Sequence, residues 1–204
     1  MTNEQEIREP LISNTIRLIG EGGFEKATTK AITYSGDQLP SLKMNEAYIY
    51  RLFGSKENLY EKAFECLDKE FVFALCRCQN SYASSIGTVK EKLYEFFLQV
   101  WRFVLKNEDR CRFYVRYYYS SYFKGSSLFN HHRRFDNIVA GFSPLFKPEA
   151  EVRAIMHSVL TTLLDFAIHV YNGDLENNEE NVYHIFNLLY NSMRSYLRPD
   201  LINT

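Results

Sequence analysis

The sequence predicts an all-α fold in which a small N-terminal domain precedes a larger helical one, and three observations support that prediction. The five prolines stand at positions 10, 40, 144, 148 and 199, so residues 41–143 lack the strongest helix breaker. Apolar residues recur at the spacing of amphipathic helices along most of the chain. Sustained alternation of apolar and polar residues, which is typical of strands, is absent.

The N-terminal part of the chain is expected to form three short helices and one long one. Pro10 suits the first turn of the opening helix, where its missing N–H is not needed, and a glycine pair at positions 22 and 23 ends that helix. Thr28 and Asn45 are residue types that cap helix starts, so they are expected to begin the second and third helices. The expected bounds are 46–52 for the third helix and 56–79 for the fourth.

Five further helices are expected in the remainder, separated by breaks that contain polar residues, glycine or proline. The last two carry apolar stripes wide enough to pack against a neighbour. Stripe width alone leaves open whether that neighbour belongs to the same chain or to a second copy. The expected bounds are 86–105, 108–122, 126–142, 149–171 and 179–197.

The composition is typical of a globular protein that stays in the cytoplasm. Hydrophobic residues make up 46% of the chain, enough to bury a substantial core. The uninterrupted apolar runs are shorter than the roughly 20 residues that span a bilayer, and the N-terminus lacks the pattern of a signal peptide. Four cysteines are too few for a disulfide scaffold and are expected to be free thiols. A membrane partner is therefore not expected.

One stretch of the sequence carries a recognisable motif. It consists of Gly23 and Phe24, then Thr28 and Ile32, and then the run Ile-Tyr-Arg-Leu-Phe-Gly-Ser-Lys-Glu-Asn-Leu at 49–59. This motif resembles the DNA-binding signature of the TetR (tetracycline-repressor) family of transcriptional regulators. The resemblance covers the first third of the chain, and its second half is the more specific part.

The resemblance implies a domain division and a function. Residues 1–54 would form a helix-turn-helix DNA-binding domain, and residues 55–204 a helical ligand-binding and dimerisation domain, with helix 55–79 connecting the two. The chain would be a ligand-responsive transcriptional regulator, a repressor that a small organic effector releases from a palindromic operator in double-stranded DNA. The last two helices would join two copies in a homodimer, because paired recognition helices about 34 Å apart match such an operator.

The motif also predicts particular DNA contacts. The N-terminal end of a recognition helix meets base edges, so Asn45, Glu46 and Tyr48 are predicted to read bases. Lys56 follows a helix N-cap, where free backbone N–H groups already favour an anion, so it is predicted to bind a phosphate. The full set of predicted DNA-binding residues is Thr28, Lys30, Lys43, Asn45, Glu46, Ala47, Tyr48, Tyr50, Arg51 and Lys56.

Two features of the sequence argue against DNA binding. The net charge of the chain is −1, and between positions 28 and 56 four cationic residues face two acidic ones, a balance of +2. Tyr50 follows Ile32 by 18 positions, which is longer than in the family motif, and the surplus lies in the turn at 36–43. An extended turn either brings Lys43 to a phosphate or changes the angle of the third helix and weakens DNA binding. The alternative prediction is an adaptor that has lost direct DNA binding and acts through protein contacts.

Aromatic residues are concentrated in the second domain, which suggests a ligand cavity there. Tyrosines combine an apolar ring with a polar hydroxyl, as expected where a cavity holds a partly polar organic ligand. Core packing accounts for about half of these rings without any ligand. The predicted ligand-binding residues are Phe97, Trp101, Tyr114, Tyr117, Tyr118 and Phe166.

The sequence contains no P-loop, glycine-rich dinucleotide turn or serine elbow. His169 has Asp165 at helical spacing, but a metal site needs further ligands. His131 and His132 precede two arginines, and together they predict a basic solvated patch. Neither an enzyme nor a metal or cofactor is therefore expected, and a helical enzyme or carrier that uses the aromatic pocket remains the third alternative.

Overall fold

Helices account for nearly all of the regular structure in this computed structural model, which describes residues 4–34 and 44–202. These described residues contain no strand, and an isolated backbone bridge joins Phe146 to Leu197. The all-α class predicted from the sequence is confirmed. The helices are α1 (Glu4–Gly22), α2 (Thr29–Thr33), α3 (Ala47–Phe53), α4 (Lys56–Ser84), α5 (Val89–Lys106), α6 (Glu108–Tyr118), α7 (Ser126–Phe142), α8 (Val152–Asn172), α9 (Glu179–Arg194) and α10 (Pro199–Ile202), with a 3-10 turn at Ser143–Leu145.

Capping groups in the sequence explain several helix boundaries. The Thr28 hydroxyl accepts the backbone N–H of Ala31 at 3.1 Å, which begins α2 as expected. Thr88 and Glu91 form a reciprocal capping box that begins α5, three residues later than predicted. Gly173 has a φ of 78° in the left-handed region, which glycine adopts without steric cost, and it ends α8.

One compact unit comprises the described residues as far as Glu70 together with Glu108–His131. It contains α1, α2, α3, the first half of α4, α6 and the start of α7. Within this unit α1 contacts α2 and α3, and it makes its most extensive contact with α6. The side chains that form its core and are fully buried include Leu11, Ile19, Ile32, Ile49 and Leu59.

The contact between α1 and α6 leaves no room for a side chain at Gly20. A Cβ atom at Gly20 would lie 2.4 Å from the backbone oxygen of Asp109, far inside van der Waals distance. Arg116 on α6 donates to the carbonyl oxygen of Ile19 at 2.9 Å, and the same oxygen accepts the backbone N–H of Gly23. The C-terminal end of α1 is therefore fixed against α6.

The other compact unit comprises Phe71–Asn107 and the described residues after His131. Its core lies among α5, α8 and α9, which contact one another. Polar groups at the edge of this core have partners. The Trp101 indole donates to the Asn177 side-chain oxygen at 3.0 Å, and the Tyr171 hydroxyl donates to the carbonyl oxygen of Val104 at 2.6 Å.

The helix α8 combines a high mean hydropathy with a small buried fraction. Its most apolar 18-residue window has a mean hydropathy of 1.3. By length and composition alone the helix could cross a membrane, although it contains charged residues such as Arg153 and Asp165. Only 28% of that window is buried. The exposed residues of α8 are polar or small, and its larger apolar side chains are buried or partly buried.

Candidate functional site

The helix α3 turns one face into the core and the other to solvent. Ile49 and Leu52 are buried and lie three residues apart, as one helical face requires. On the opposite side Ala47 and Arg51 are exposed, and the Tyr50 side chain is 55% exposed. All three outward residues belong to the set that the sequence predicted to bind DNA.

The start of α3 is connected to α2 by a carboxylate. Glu46 occupies the N-cap position of α3 without a side-chain bond to the helix's own N–H groups. Its carboxylate accepts the hydroxyl of Thr29 in the first turn of α2. Asn45, which was expected to be the cap, precedes Glu46 and is exposed, so α3 begins at Ala47, one residue later than predicted. A negative charge is favoured at a helix N-terminus, so Glu46 both stabilises α3 and joins its start to α2.

An aromatic ring restricts the arginine on the outward side of α3. The guanidinium carbon of Arg51 lies 4.6 Å from the centre of the Tyr48 ring, one helical turn away. This stacking limits the conformations of Arg51 before any ligand binds. Less conformational entropy is then lost when the guanidinium meets an anion.

Lysines add positive charge on either side of α3. Lys30 is exposed on α2, and the Lys56 ammonium at the start of α4 lies 5.7 Å from the centre of the Tyr60 ring. Lys43 and the long turn at 36–43 lie outside the described residues. Of the cationic residues predicted to bind DNA, Lys30 and Arg51 are exposed and Lys56 is partly exposed, and the acidic Glu46 is exposed as well.

Two side chains outside α3 hold its C-terminal end, and the sequence analysis did not identify either. Arg8 donates to the carbonyl oxygen of Leu52 at 2.8 Å, and its guanidinium carbon lies 5.1 Å from the centre of the Phe53 ring. Asn58 donates to the carbonyl oxygen of Phe53 at 2.9 Å. No local pattern indicates Arg8, because its partner is 44 residues away in sequence.

The turn between α1 and α2 rests on three aromatic rings. The centres of the Phe24, Tyr60 and Tyr122 rings lie between 5.0 and 5.5 Å apart. The Tyr60 hydroxyl donates to the carbonyl oxygen of Ala27 at 3.0 Å. Burial raises the pKa of Tyr60 above its usual value, and nearby acidic groups add to that effect, so the phenol keeps the proton that it donates.

The three predicted ligand-binding tyrosines belong to a buried aromatic cluster in this same unit. The Phe64 ring stacks on Tyr117 with 4.6 Å between centres and lies 5.1 Å from Tyr114. Tyr118 packs on Phe123 with 4.4 Å between ring centres. Burial raises the pKa of both Tyr117 and Tyr118, so these phenols remain neutral.

A buried carboxylate lies inside the aromatic cluster. Asp68 is fully buried, accepts the Tyr114 hydroxyl at 3.0 Å and lies 2.8 Å from Nδ1 of His131. The prediction of a solvated patch is correct for His132, which is exposed, and wrong for His131, which is 8% exposed. The reason is that a buried carboxylate needs donors, and His131 supplies one from the start of α7.

The other unit contains a cavity of about 40 Å³ that is lined by apolar side chains of α5, α7, α8 and α9 and of the segments that follow α7 and α9, and no polar atom faces it. Phe97 lines this cavity, whereas Trp101 stacks on Phe97 at 5.9 Å behind the lining. Phe166 is half-buried on α8 and does not line it. Leaving such a volume unfilled costs about 1 kcal/mol of folding free energy.

Among the described residues, no group of three or more His, Cys, Asp or Glu side chains is placed to hold a metal ion. His169 lies 3.8 Å from Asp165 and 3.5 Å from Asp174, and all three side chains are at least half exposed. These contacts are surface ion pairs of the kind that add little to stability.

The sequence matches no protein-family model and no curated protein. Solved structures do match. A TetR family transcription regulator from Marinobacter aquaeolei VT8 has a TM-score of 0.72 at 15% identity, over 92% of this chain and 95% of that one. For a TetR-like transcriptional regulator from Rhodococcus sp. RHA1 the TM-score is 0.61 at 18% identity, over 90% and 91% of the two chains. The fatty acid degradation regulator FadR from Bacillus halodurans gives 0.61 at 14% identity, over 89% and 96%. At these identities the likeness establishes a shared fold along nearly the whole chain.

Proposed function

We propose that this chain, whose fold is that of TetR-type regulators, is a transcriptional regulator that binds double-stranded DNA as a homodimer. The observation that carries the proposal is the outward face of α3, where Ala47, Tyr50 and Arg51 are exposed, together with the exposed Lys30 on α2 and the partly exposed Lys56 at the start of α4. We assign DNA binding to residues 1–54, and effector binding and dimerisation to residues 55–204, with helix 55–79 connecting them.

The proposed contacts with DNA are of two kinds, contacts with base edges and contacts with phosphates. Asn45 and Tyr48, at the start of α3, would meet base edges in the major groove. Glu46 would accept from the amino group of a cytosine with the carboxylate oxygen that does not hold the Thr29 hydroxyl. The residues proposed to bind phosphates are Thr28, Lys30, Lys43, Tyr50, Arg51 and Lys56.

The homodimer would form through α8 and α9. Less than a third of the most apolar window of α8 is buried within the chain. On α9 the Leu188 side chain is 52% exposed and Tyr183 is 44% exposed. Packing these helices against a second copy would bury apolar surface at roughly 25 cal/mol per Å². A twofold pair would also supply the two recognition helices that a palindromic operator needs.

The second part of the proposal is that a small organic effector releases the repressor from its operator. Such a molecule would shift the population between two arrangements of the dimer and so lower the affinity for DNA. The predicted ligand residues lie in two places in the chain. Tyr114 has a hydrogen bond within the aromatic cluster, whereas Phe97 lines an apolar cavity, so the cavity is the better-supported effector site.

The DNA-binding proposal is tested by titrating a fluorescein-labelled duplex from the region upstream of the chain's own gene at several salt concentrations. Phosphate neutralisation predicts that log affinity falls linearly with log salt. Arg51→Ala and Lys56→Ala should each reduce that slope by about one. Lys106→Ala, which removes an exposed lysine from the end of α5, is the matched control and should leave the slope unchanged. Affinity that is absent or independent of salt would contradict the proposal.

An adaptor that acts through protein contacts is the second candidate. The net charge of −1 and the acidic Glu46 at the start of α3 favour it, since both oppose the approach of phosphates. An intact dimer that binds no duplex at low salt would support the adaptor over the DNA-binding regulator.

A further inference from the structure

We propose that Thr29, which was not among the predicted DNA-binding residues, is a positioning residue for base reading. Its hydroxyl holds one oxygen of the Glu46 carboxylate, so that the other oxygen selects a cytosine in each half of the operator. Base reading by Glu46 deepens the proposed function and rests on it, because Glu46 meets a base only if α3 lies in the major groove. The choice of base is then shared between α2 and α3.

Two adjacent threonines at the start of α2 have different partners. The Thr28 hydroxyl caps the helix by accepting the backbone N–H of Ala31, whereas the Thr29 hydroxyl donates to Glu46, 17 residues away in sequence. Because Thr28 supplies the cap, the Thr29 hydroxyl is available for a contact outside α2. Threonine is branched at Cβ, which restricts the directions that its hydroxyl takes. The fully buried Ile32 anchors α2, so Thr29 presents its hydroxyl from a fixed position.

The bond from Thr29 occupies one of the two oxygens of the Glu46 carboxylate. Glu46 stands at the N-cap position of α3, makes no side-chain bond to the N–H groups of that helix and is exposed. An ionised carboxylate has two oxygens and about four acceptor sites, so the second oxygen can still accept from a ligand. A free glutamate side chain has many rotamers, and fixing one of them in advance reduces the entropy that is lost on binding.

A carboxylate oxygen distinguishes the four bases by the groups that they present in the major groove. Cytosine presents an amino donor with no acceptor beside it on the same base, whereas guanine and thymine present acceptors, which repel the carboxylate. Adenine presents an amino donor next to the acceptor N7, so it suits glutamine, which both donates and accepts. Glu46 therefore favours cytosine, and Glu46→Gln is expected to favour adenine.

The test is selection of bound duplexes from a random DNA pool by the full-length protein and its Glu46→Gln, Thr29→Val and Thr29→Ser variants. We expect cytosine at one position of each half-site for the unmodified protein and adenine there for Glu46→Gln. Thr29→Val removes the hydroxyl at nearly constant size and should lower the cytosine preference at that position alone by about fivefold or more, whereas Thr29→Ser should retain it. Thr33→Val is the matched control and should change no position, because the Thr33 hydroxyl donates to backbone oxygens of its own helix.

A modified base repeats the test without any protein variant. N4-methylcytosine at the selected position carries a methyl group in place of the hydrogen that faces the major groove, so it should weaken binding about fivefold or more. 5-Methylcytosine keeps that hydrogen and should bind more tightly than N4-methylcytosine.

The outcomes separate base reading from DNA binding. The same base at that position for Glu46→Gln and the unmodified protein, or an unchanged preference in Thr29→Val, would show that Thr29 does not set the base, while the DNA-binding function stands. Equal binding of the two methylated duplexes would show the same. If the unmodified protein binds no duplex, the proposed function fails and the role of Thr29 fails with it.

Discussion

Two acidic residues, Glu46 and Asp68, differ in their surroundings, because Glu46 is exposed and Asp68 is buried. Glu46 is exposed at a helix start, so its position relative to α3 was visible in the sequence. Asp68 is fully buried, and its partners Tyr114 and His131 lie 46 and 63 residues away. Local spacing indicates a residue's place on a helix but not a distant partner. For this reason the start of α3 was predicted to within one residue, whereas the buried network was missed.

The buried network should be sensitive to the charge of Asp68. Asp68→Asn keeps the size of the side chain but weakens its hydrogen bonds with Tyr114 and His131, so we expect the free energy of unfolding to fall by about 2 kcal/mol. Urea denaturation followed by circular dichroism measures this. Asp200→Asn removes an exposed carboxylate near the C-terminus and should leave the midpoint unchanged. An unchanged midpoint for Asp68→Asn would mean that the network contributes nothing.

Substitutions at Tyr60 and Tyr50 should affect different properties, stability for the first and DNA binding for the second. Tyr60→Phe removes the hydroxyl that donates to Ala27, so it should lower the free energy of unfolding by about 1 kcal/mol. Tyr50→Phe removes an exposed hydroxyl and should leave stability unchanged while lowering DNA affinity several-fold. Urea melts and duplex titrations of both variants make the comparison. Equal DNA affinity for Tyr50→Phe and the unmodified protein would remove Tyr50 from the interface.

At the scale of helices, the predicted elements were all present, but several of their ends were displaced, and Pro10 lies inside α1, which begins at Glu4, and not in its first turn. The helix α6 ends at Tyr118, although apolar periodicity extended it to 122. The Ser120 hydroxyl donates to the carbonyl oxygen of Tyr117 at 2.7 Å and accepts the N–H of Tyr122 at 3.1 Å, and such bonds offer the backbone an alternative to the helix. Periodicity alone does not reveal this competition.

The close approach of α1 to α6 predicts a strong effect of a single methyl group. Gly20→Ala would place its Cβ atom against the backbone oxygen of Asp109, which cannot rotate away, so α1 and α6 must separate. We expect a loss of about 1–3 kcal/mol in the free energy of unfolding. Ser13→Ala, on the exposed side of the same helix, is the control and should be neutral. Equal stability of the two variants would show that this contact is not closely packed.

At the scale of the whole molecule, the fold class followed from pattern alone, whereas the position of the cavity did not. The aromatic density around Tyr114 and Tyr117 suggested a cavity, but both rings are packed in a cluster. The cavity in the other unit is formed by residues that also read as ordinary core positions, such as Leu93 and Met193. Empty space depends on how several helices and the segments between them pack together, and no property of one helix predicts it.

Dimerisation should depend on the uncovered face of α9. Leu188→Glu places a charge on a side chain that is 52% exposed, so the protomer should fold normally while the dimer dissociates. Size-exclusion chromatography with light scattering reports the mass. Ile86→Glu changes a fully exposed aliphatic side chain before α5 and should leave the dimer intact. A Leu188→Glu protein that remains dimeric would exclude α9 from the interface.

The proposed regulator requires two copies of α3 to read one palindromic site. Selection of bound duplexes from a random DNA pool, followed by measurement of the mass of the complex, shows whether they do. We predict an enriched inverted repeat with half-site centres about 34 Å apart, occupied by two protomers. A pool that shows no enrichment, or an asymmetric site bound by a single protomer, would contradict the claim.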